Sequence, residues 1–206
     1  MKRKLLILFF ILSAVTAHSQ EISFAIGTNF TQYNLKNPET FIGTPLQTGS
    51  GSSCEIAYLD TTNQNKLFYE IGIGINEYNA LAGTTANSYR WTTKSFGARL
   101  GLEYELFNLG KVQLRPQIGM NFSTIVYGKQ EINGAIFDIR NNSDFSGIKL
   151  IPYLGIKAKY KLADNTSISF GYNNSISFKP TLTNKEYLTI TSSQIVFGLH
   201  FNINNK

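Results

Sequence analysis

Period-two alternation of apolar and polar residues is the feature that most constrains how this chain of 206 residues folds. In eight segments, large apolar side chains occupy one parity, and glycine, polar and charged residues occupy the other. These segments are 22–31, 52–58, 67–76, 96–105, 112–124, 149–160, 167–178 and 194–203. Such alternation is typical of a strand whose two faces meet different environments. The sequence therefore predicts eight strands, most of them near the roughly 9–11 residues that a tilted strand needs to cross a bilayer.

Charges and glycines indicate which parity faces inward. All nine charges of the eight segments lie opposite the large apolar side chains: Glu55, Glu70, Arg99, Glu103, Glu105, Arg115, Lys149, Lys157 and Lys159. A soluble lipocalin-like barrel, with its apolar parity lining a ligand cavity, also fits the alternation. However, glycines such as Gly72, Gly101 and Gly155 share the charged parity. Small residues suit a crowded, narrow interior better than a solvated surface, so we expect the charges to lie in the lumen of a barrel.

Aromatic residues gather near the strand ends. If the strands run up and down in order, one group falls at each rim. The two groups are Tyr58, Tyr69, Tyr104, Tyr160, Phe170 and Phe201, and Phe30, Phe96, Phe122 and Phe178. Two aromatic belts around an aliphatic band, with short turns alternating with longer external connections such as 77–95 and 125–148, are typical of outer-membrane barrels. The alternative is that these residues simply favour strands. We predict an all-β, eight-stranded antiparallel up-and-down transmembrane β-barrel.

The first residues read as an export signal. Three basic residues at positions 2–4 precede an almost wholly apolar run that ends in small residues, the pattern of a cleaved secretory signal peptide. We expect a signal peptide over 1–19, cleaved after Ala17 or Ser19, and an outer-membrane β-barrel domain over 20–206; an uncleaved anchor is the alternative. Loss of the signal lowers the formal net charge from +6 to +3, which leaves little basis for nucleic-acid binding.

Two prolines interrupt the strand pattern. Pro116 and Pro152 fall inside the fifth and sixth predicted strands. Proline has no N–H to donate to a strand ladder, so it is found at sheet edges or bulges. We expect bulges or local pairing gaps at both positions.

Three motifs carry a resemblance to a known family. They are Pro116-Gln117-Ile118-Gly119, Pro152-Tyr153-Leu154-Gly155 and, near the end of the chain, Phe197-Gly198-Leu199-His200-Phe201. Together with the export signal and the eight segments, they make the mature chain resemble the small outer-membrane β-barrel proteins of Bacteroidota, often labelled PorT-like. The resemblance implies an integral protein of the cell outer membrane. Most members have no assigned role, and the secretion role behind the label is not carried over.

The inward charges leave two interpretations open. An unpaired buried charge is costly, so we expect these acids and bases mostly to pair. The strand order allows Glu103 or Glu105 with Arg115, Glu70 with Arg99, and Lys157 or Lys159 with Glu103 or Glu105. Such a cluster either fills and staples a small barrel, or forms a polar gate that restricts ions.

Few residues are suited to catalysis or metal binding. His200 is the only histidine after the signal and has inward parity near the periplasmic end of the last strand. We expect it to be a hydrogen-bonded lumen residue and not the base of an active site at the outer rim. Cys54, the only cysteine, has lipid-facing parity, and no ligand spacing for a metal occurs. The sequence therefore predicts neither enzyme activity nor a cofactor or metal.

The sequence favours a structural or surface-interaction role in which external loops are presented. The connection 125–148 is the best candidate for a protein partner, because exposed apolar groups often mark contact sites. It carries Tyr127, Ile136, Phe137, Ile139 and Phe145. It also reads as a hairpin with Asn133-Gly134 as its turn, and the two interpretations are compatible. Alternatives are a narrow gated passive channel, a soluble ligand-binding barrel and a component of a secretion apparatus. We expect a monomer surrounded by outer-membrane lipid.

Overall fold

The described part of the chain is built from strands. The computed structural model describes residues 20–35, 46–61, 66–83, 88–142, 145–178 and 188–203. The predicted signal peptide over 1–19 lies outside them. No helix among the described residues is long and apolar enough to span a membrane. The ten strands are β1 (Glu21–Leu35), β2 (Gln47–Thr61), β3 (Leu67–Gly83), β4 (Ser88–Tyr104), β5 (Phe107–Leu109), β6 (Val112–Ile132), β7 (Ala135–Asp138), β8 (Ile148–Lys161), β9 (Thr166–Ile176) and β10 (Leu188–Asn202).

Eight of these strands close into one barrel. Each pairs antiparallel with its neighbour in the order β1-β2-β3-β4-β6-β8-β9-β10, and β10 pairs again with β1. The closing β1–β10 ladder runs from Glu21↔Asn202 to Leu35↔Leu188. The short strands β5 and β7 pair with β6 and stand outside the ring. The predicted eight-stranded antiparallel up-and-down barrel is confirmed.

Each predicted segment lies mainly on one wall strand, but several strands extend beyond the apolar alternation. β3 continues to Gly83, β4 already begins at Ser88, and β6 reaches Ile132. The prediction of a connection over 77–95 is therefore wrong for most of its residues, whereas 125–148 contains the hairpin that was its other interpretation. In the β3 and β4 extensions the parity reverses, because apolar residues such as Tyr78 and Trp91 point inward. Pairing with the neighbouring strand holds the extensions in place.

The two ends of the barrel differ in their connections. The segments 105–111 and 162–165 join strands at one end, which we call the turn end. The opposite hairpin end carries the extended β3–β4 pair and the β6–β7 hairpin. This hairpin turns at Asn133 and Gly134, whose φ angles are 49° and 85°. Positive φ at both central residues is the requirement of a two-residue type I′ turn, so the predicted hairpin is confirmed.

The apolar parity faces outward. Large exposed side chains on the outer surface include Ile26 on β1, Ile73 on β3, Leu100 on β4, Ile118 on β6 and Phe197 on β10. Because successive side chains point to opposite faces of a strand, the polar and glycine-rich parity lines the lumen. The outer surface thus forms the apolar band that a lipid-embedded barrel requires.

Pro116 and Pro152 lie beside interruptions in the ladders. The β6–β8 register runs unbroken past both prolines. The β4–β6 ladder, by contrast, ends at Gln117, and the β8–β9 ladder ends at Tyr153. Alternate residues of an antiparallel strand bond to opposite neighbours, so a proline interrupts only one of its two ladders. The predicted pairing gaps are therefore confirmed, each on one side of its strand.

Glycines on the lumen face make room for one large side chain. Tyr153 of β8 reaches the cross-strand pair Gly101 and Gly119 of β4 and β6. A Cβ atom added to either glycine would overlap the Tyr153 hydroxyl. The guanidinium of Arg99 lies over the same ring, with Cζ 3.8 Å from the ring centroid. Space at these glycines therefore lets Tyr153 support a charge in the middle of the lumen.

Gly119→Ala should destabilise the barrel by about 1–3 kcal/mol, because overpacking displaces side chains or backbone. The new Cβ would meet the Tyr153 hydroxyl and the carbonyl oxygen of Leu100. Urea unfolding of protein refolded in lipid vesicles measures the loss of stability. The signal is the fluorescence of Trp91, the only tryptophan.

Gly171→Ala is the matched control for this prediction. Gly171 also has lumen parity in a wall strand, but a Cβ there would come no closer than 3.4 Å to a neighbouring atom. Equal losses in the two variants would contradict the packing explanation.

Candidate functional site

The nine predicted lumen charges all lie on the inward face of the wall. They come from β2, β3, β4, β6 and β8, with Glu105 just beyond the end of β4. Glu55 and Glu105 are partly buried. The other seven are buried: Glu70, Arg99, Glu103, Arg115, Lys149, Lys157 and Lys159. The barrel therefore concentrates charge from strands that are far apart in the sequence.

A central network joins opposite walls of the lumen; its members are Glu55, Glu70, Arg99, Glu103 and Lys157. Arg99 donates through Nε to Glu70 Oε1 at 2.5 Å and through Nη1 to Glu55 Oε2 at 3.3 Å. From β8, the Lys157 ammonium reaches Glu70 Oε2 at 3.5 Å and donates to Glu103. Each cation thus bridges two carboxylates, which compensates charges that are costly to bury singly.

Arg115 continues the network toward the turn end. Its Nη1 lies 3.5 Å from Glu103 Oε2, and its Nη2 lies 4.0 Å from Glu105 Oε2. Nη2 also donates to Gln113 at 2.7 Å. The guanidinium sits over the Phe68 ring, with Cζ 3.8 Å from the centroid. This stacked cation and the buried Phe68 narrow the lumen at that end.

A second cluster, which we call the seam cluster, contains Glu21, Lys159, Ser169 and His200. Glu21 accepts a hydrogen bond from Lys159 and lies 2.6 Å from His200 Nδ1. His200 Nε2 lies 2.7 Å from Ser169 Oγ. All four are buried. The cluster therefore ties β1, β8, β9 and β10 together at the seam where the first and last strands meet.

The Glu21 contact was missed by sequence reasoning. The first predicted segment began at residue 22, yet Glu21 shares the parity of Ser23 and the inward face of β1. The sequence paired Lys159 with Glu103 or Glu105, and the structure pairs it with Glu21 instead. Strands in a barrel are staggered along its axis, and this stagger decides which inward residues reach the same height.

An apolar cluster, the apolar cap, fills the lumen at the hairpin end. It consists of Tyr33, Tyr78, Ala80, Ala82, Trp91, Ile139, Phe145, Ile151 and Ile190. The Tyr33 hydroxyl donates to the Tyr78 carbonyl oxygen at 2.8 Å. Lys149 lies beside this cap rather than in the central network, with Nζ 5.7 Å from the Phe145 ring centroid. Sequence reasoning missed the cap because its members lie mainly in the extensions and in a connection.

A small cavity lies in the lumen among the charged residues. It has a volume of about 20 Å³ and lies against the central network and the seam cluster, and Glu70, Arg99, Lys157, Ser169 and His200 are among its lining residues. A space of this size holds about one water molecule. Among the described residues, no group of three or more histidine, cysteine, aspartate or glutamate side chains is arranged to hold a metal ion.

The ten aromatic residues assigned to belts lie on the outer surface. Eight are exposed: Phe30, Phe96, Tyr104, Phe122, Tyr160, Phe170, Phe178 and Phe201. Tyr58 and Tyr69 are partly buried, and their hydroxyls donate to Asp60 Oδ2 at 3.2 and 3.0 Å. Their position suits contact with the membrane interface, and the belt assignment itself stays a prediction.

Glu21→Gln should lower the free energy of unfolding by about 3 kcal/mol, because it leaves the Lys159 ammonium buried beside a neutral amide. Vesicle unfolding followed by Trp91 fluorescence measures the effect. Adding Lys159→Met should restore most of the lost free energy of unfolding, since an apolar side chain removes the unpaired charge.

Asp164→Asn is the control for the seam cluster. It disrupts the exposed Lys161–Asp164 pair, whose Nζ and Oδ1 atoms are 2.9 Å apart, and should change stability by less than about 1 kcal/mol. A Glu21→Gln effect as small as that of Asp164→Asn would contradict a stabilising role for the seam cluster.

Comparison with known proteins agrees with this architecture. Residues 5–201 match the family model of the outer membrane protein beta-barrel domain. Neisserial surface protein A has a similar fold, with a TM-score of 0.53 and 12% identity over 88% of this chain and 97% of that chain. The outer membrane protein OprG from Pseudomonas aeruginosa has a TM-score of 0.55 and 13% identity over 90% of this chain and 97% of that chain.

These identities are low, so the solved structures show likeness of fold alone. A search of curated proteins found no match. The family match covers almost the entire chain, and it agrees with the closed barrel, the outward apolar band and the polar lumen. The protein is thus located in the outer membrane, and it belongs to the outer membrane protein beta-barrel domain family.

Proposed function

We propose that this protein is an outer-membrane barrel with a closed lumen, whose structural or surface-interaction role resides in the part exposed outside the membrane. The carrying observation is that two different layers fill the lumen. The central network cross-links opposite walls, and the apolar cap occupies the hairpin end. Eight strands leave an interior that side chains just fill, which further supports a closed barrel.

Ion passage would require both layers to open. In the central network, Lys157 contacts Glu70 and Glu103, so moving it aside breaks two buried ion pairs at once. Breaking a buried ion pair is strongly unfavourable because the remaining charge is uncompensated. An ion would also have to pass the apolar cap, which offers it no coordinating charge. These costs favour the closed barrel over the narrow gated channel.

The same closure favours a role without catalysis. Ser169, His200 and Glu21 are hydrogen-bonded in the order of a serine-histidine-acid site. Such a site needs access for a substrate to the serine hydroxyl. All three side chains are buried, and the neighbouring cavity holds about one water molecule. We therefore assign these residues to the barrel seam rather than to an active site.

The β6–β7 hairpin supplies the surface proposed to contact a protein partner. Outer-membrane barrels place short turns in the periplasm and longer connections outside, which assigns the hairpin end to the exterior. Ile136 and Phe137 are 63% and 50% exposed. Ile139 and Phe145 were also predicted for this surface, but that prediction is wrong because both are buried in the apolar cap. Large apolar side chains exposed to water at a hairpin tip favour a contact role.

A charged pair borders this tip. Arg140 donates to Asp138 through Nε at 2.9 Å and Nη2 at 2.6 Å. These hydrogen bonds favour the charged carboxylate and lower the pKa of the exposed Asp138. The proposed surface therefore combines an apolar tip with a fixed ion pair.

The finer family assignment also remains a proposal: the chain is a PorT-like barrel of Bacteroidota. Its support is the repeated Pro-x-x-Gly motif at Pro116 and Pro152. In both copies the proline adjoins a ladder gap, and the glycine leaves room for a lumen side chain, Tyr153 in one copy and Asn173 in the other. The proline and the glycine of the motif therefore have the same structural roles in both copies.

Purified protein in planar bilayers should show no open events. Arg99→Ala combined with Arg115→Ala, in a background that also carries Phe145→Ala, should open the lumen. These changes remove cations from the network and one ring from the apolar cap. Single-channel recording checks both forms.

The control for this measurement is the variant with Phe145→Ala alone, which leaves the charges paired and should stay closed. Stepwise conductance in the unaltered protein would overturn the closed barrel and favour the channel. Closure of every variant, with folding verified by heat-modifiable gel migration, would exclude a gate made of these charges.

A photo-crosslinking residue at position 137 should form a discrete protein adduct on intact cells, because Phe137 is exposed at the hairpin tip. The same residue at position 162 is the control, since Leu162 is equally apolar and 52% exposed at the turn end. Ile136→Ser should weaken the adduct at position 137. An adduct pattern identical at the two positions, or none at position 137, would contradict a partner at the tip.

A further inference from the structure

The strand β7 has one edge without a partner strand, which we call the open edge. β7 pairs with β6 from Ile132↔Ala135 to Lys129↔Asp138, and no other strand in the described part of the chain pairs with it. All four of its residues are exposed. An unpaired strand edge presents backbone N–H and C=O groups that can hydrogen-bond to another extended chain.

The hydrogen-bond pattern of the hairpin shows which backbone groups lie at the open edge. The Ile139 N–H donates to the Gly128 carbonyl oxygen at 3.2 Å. Bonded and non-bonded pairs alternate along an antiparallel ladder. The backbone groups of Phe137 are therefore directed to β6, and those of Ile136 and Asp138 are directed away from it. The open edge thus presents two donors and two acceptors at the spacing of an extended strand.

The open edge lacks most of the features that prevent strand addition. Proteins block strand edges with proline, lysine, a bulge or a covering segment. β7 contains neither proline nor lysine, and its register with β6 has no bulge. Its one charged side chain, Asp138, already accepts hydrogen bonds from Arg140 Nε and Nη2. The length of β7, four residues, restricts an added strand to a short segment.

We propose that the open edge binds a short extended segment of a partner protein by strand addition. Alternating N–H and C=O groups at strand spacing are complementary to an extended peptide backbone, which selects a peptide over a lipid or a glycan. In this mode, main-chain hydrogen bonds supply affinity and alternate side chains supply specificity. The inference rests on the proposed function, because it specifies how a partner at the hairpin tip is bound.

The side chains beside the open edge define the segment further. Ile136 and Asp138 point to the same face of the hairpin, because they are two residues apart. Ile136 is exposed and apolar, whereas the Asp138 carboxylate is bonded to Arg140. Cross-strand neighbours on one face contact each other. The segment should therefore carry an apolar side chain opposite Ile136 and a polar side chain opposite Asp138.

Geometry disfavours a second copy of this chain as the occupant. Two copies inserted in one membrane share their orientation, so their β7 strands run in the same direction. A symmetric edge-to-edge contact requires antiparallel strands, since parallel strands bond through unlike residues. The antiparallel register that uses all four backbone groups is centred on Phe137, and it sets Asp138 of each copy opposite Ile136 of the other. A carboxylate would then face an apolar side chain.

Proline substitution tests the open edge without removing a bond to β6. Ile136→Pro deletes an N–H that faces the open edge, and proline is tolerated on edge strands. Ile136→Val is the matched control, because it keeps the N–H and an apolar side chain. The readout is the adduct formed on intact cells by the photo-crosslinking residue at position 137. Its yield should fall about tenfold with Ile136→Pro, because a backbone hydrogen bond is lost, and less than about twofold with Ile136→Val.

Amide hydrogen exchange of the purified protein in lipid nanodiscs supplies a second measurement. The Ile136 and Asp138 amides should exchange fast in the unaltered protein, because no strand covers them. The Phe137 amide should stay protected in Ile136→Pro, which shows that the hairpin is intact. If that protection is lost, Asp138→Pro is compared with Asp138→Ser instead, since the Asp138 N–H faces the same edge.

Three results would overturn strand addition while leaving a partner at the tip. The first is an equal adduct yield from the proline variant and its control. The second is slow exchange of the Ile136 and Asp138 amides in the purified protein, which would mean that the edge is already covered. The third is an adduct with twice the mass of this chain, which would identify a second copy. Absence of any adduct in the unaltered protein would instead contradict the proposed function, and the inference with it.

Discussion

The closed ladder of backbone hydrogen bonds is the constraint on which the rest of this structure depends. In lipid, no water satisfies the backbone N–H and C=O groups, so the sheet cannot keep an open edge. Pairing of β1 with β10 removes that edge. Closure with eight strands makes the lumen so narrow that side chains fill it. Inward residues from distant strands are therefore brought into contact, and Lys157 of β8 meets Glu70 of β3.

Two kinds of side-chain packing fill the narrow lumen. Around the middle and the turn end, acids and bases pair, and glycines leave room for the bulk of Tyr153. At the hairpin end, apolar side chains pack as in a soluble core. A slip of one residue in β2, β3, β4, β6 or β8 would turn the inward charges of that strand toward lipid. The central network therefore opposes incorrect registers, besides occupying space.

The outer surface is less uniform than the apolar parity suggests. Most of it is a band of large apolar side chains, but the exposed Thr28 and Asn174 interrupt this parity on β1 and β9. Beyond the band, β3, β4 and β6 extend into a hairpin whose tip exposes Ile136 and Phe137.

The sequence by itself determined the eight strands, their inward and outward parities and the type I′ turn at Asn133-Gly134. These are local properties, because side-chain direction follows from period two and turn geometry follows from the two central residues. The pairing of Glu21 with Lys159 and His200 and the burial of Ile139 and Phe145 were decided only by the tertiary structure. Those contacts depend on the stagger of closed strands and on how a connection folds back over the lumen. Neither is encoded in the alternation of any single strand.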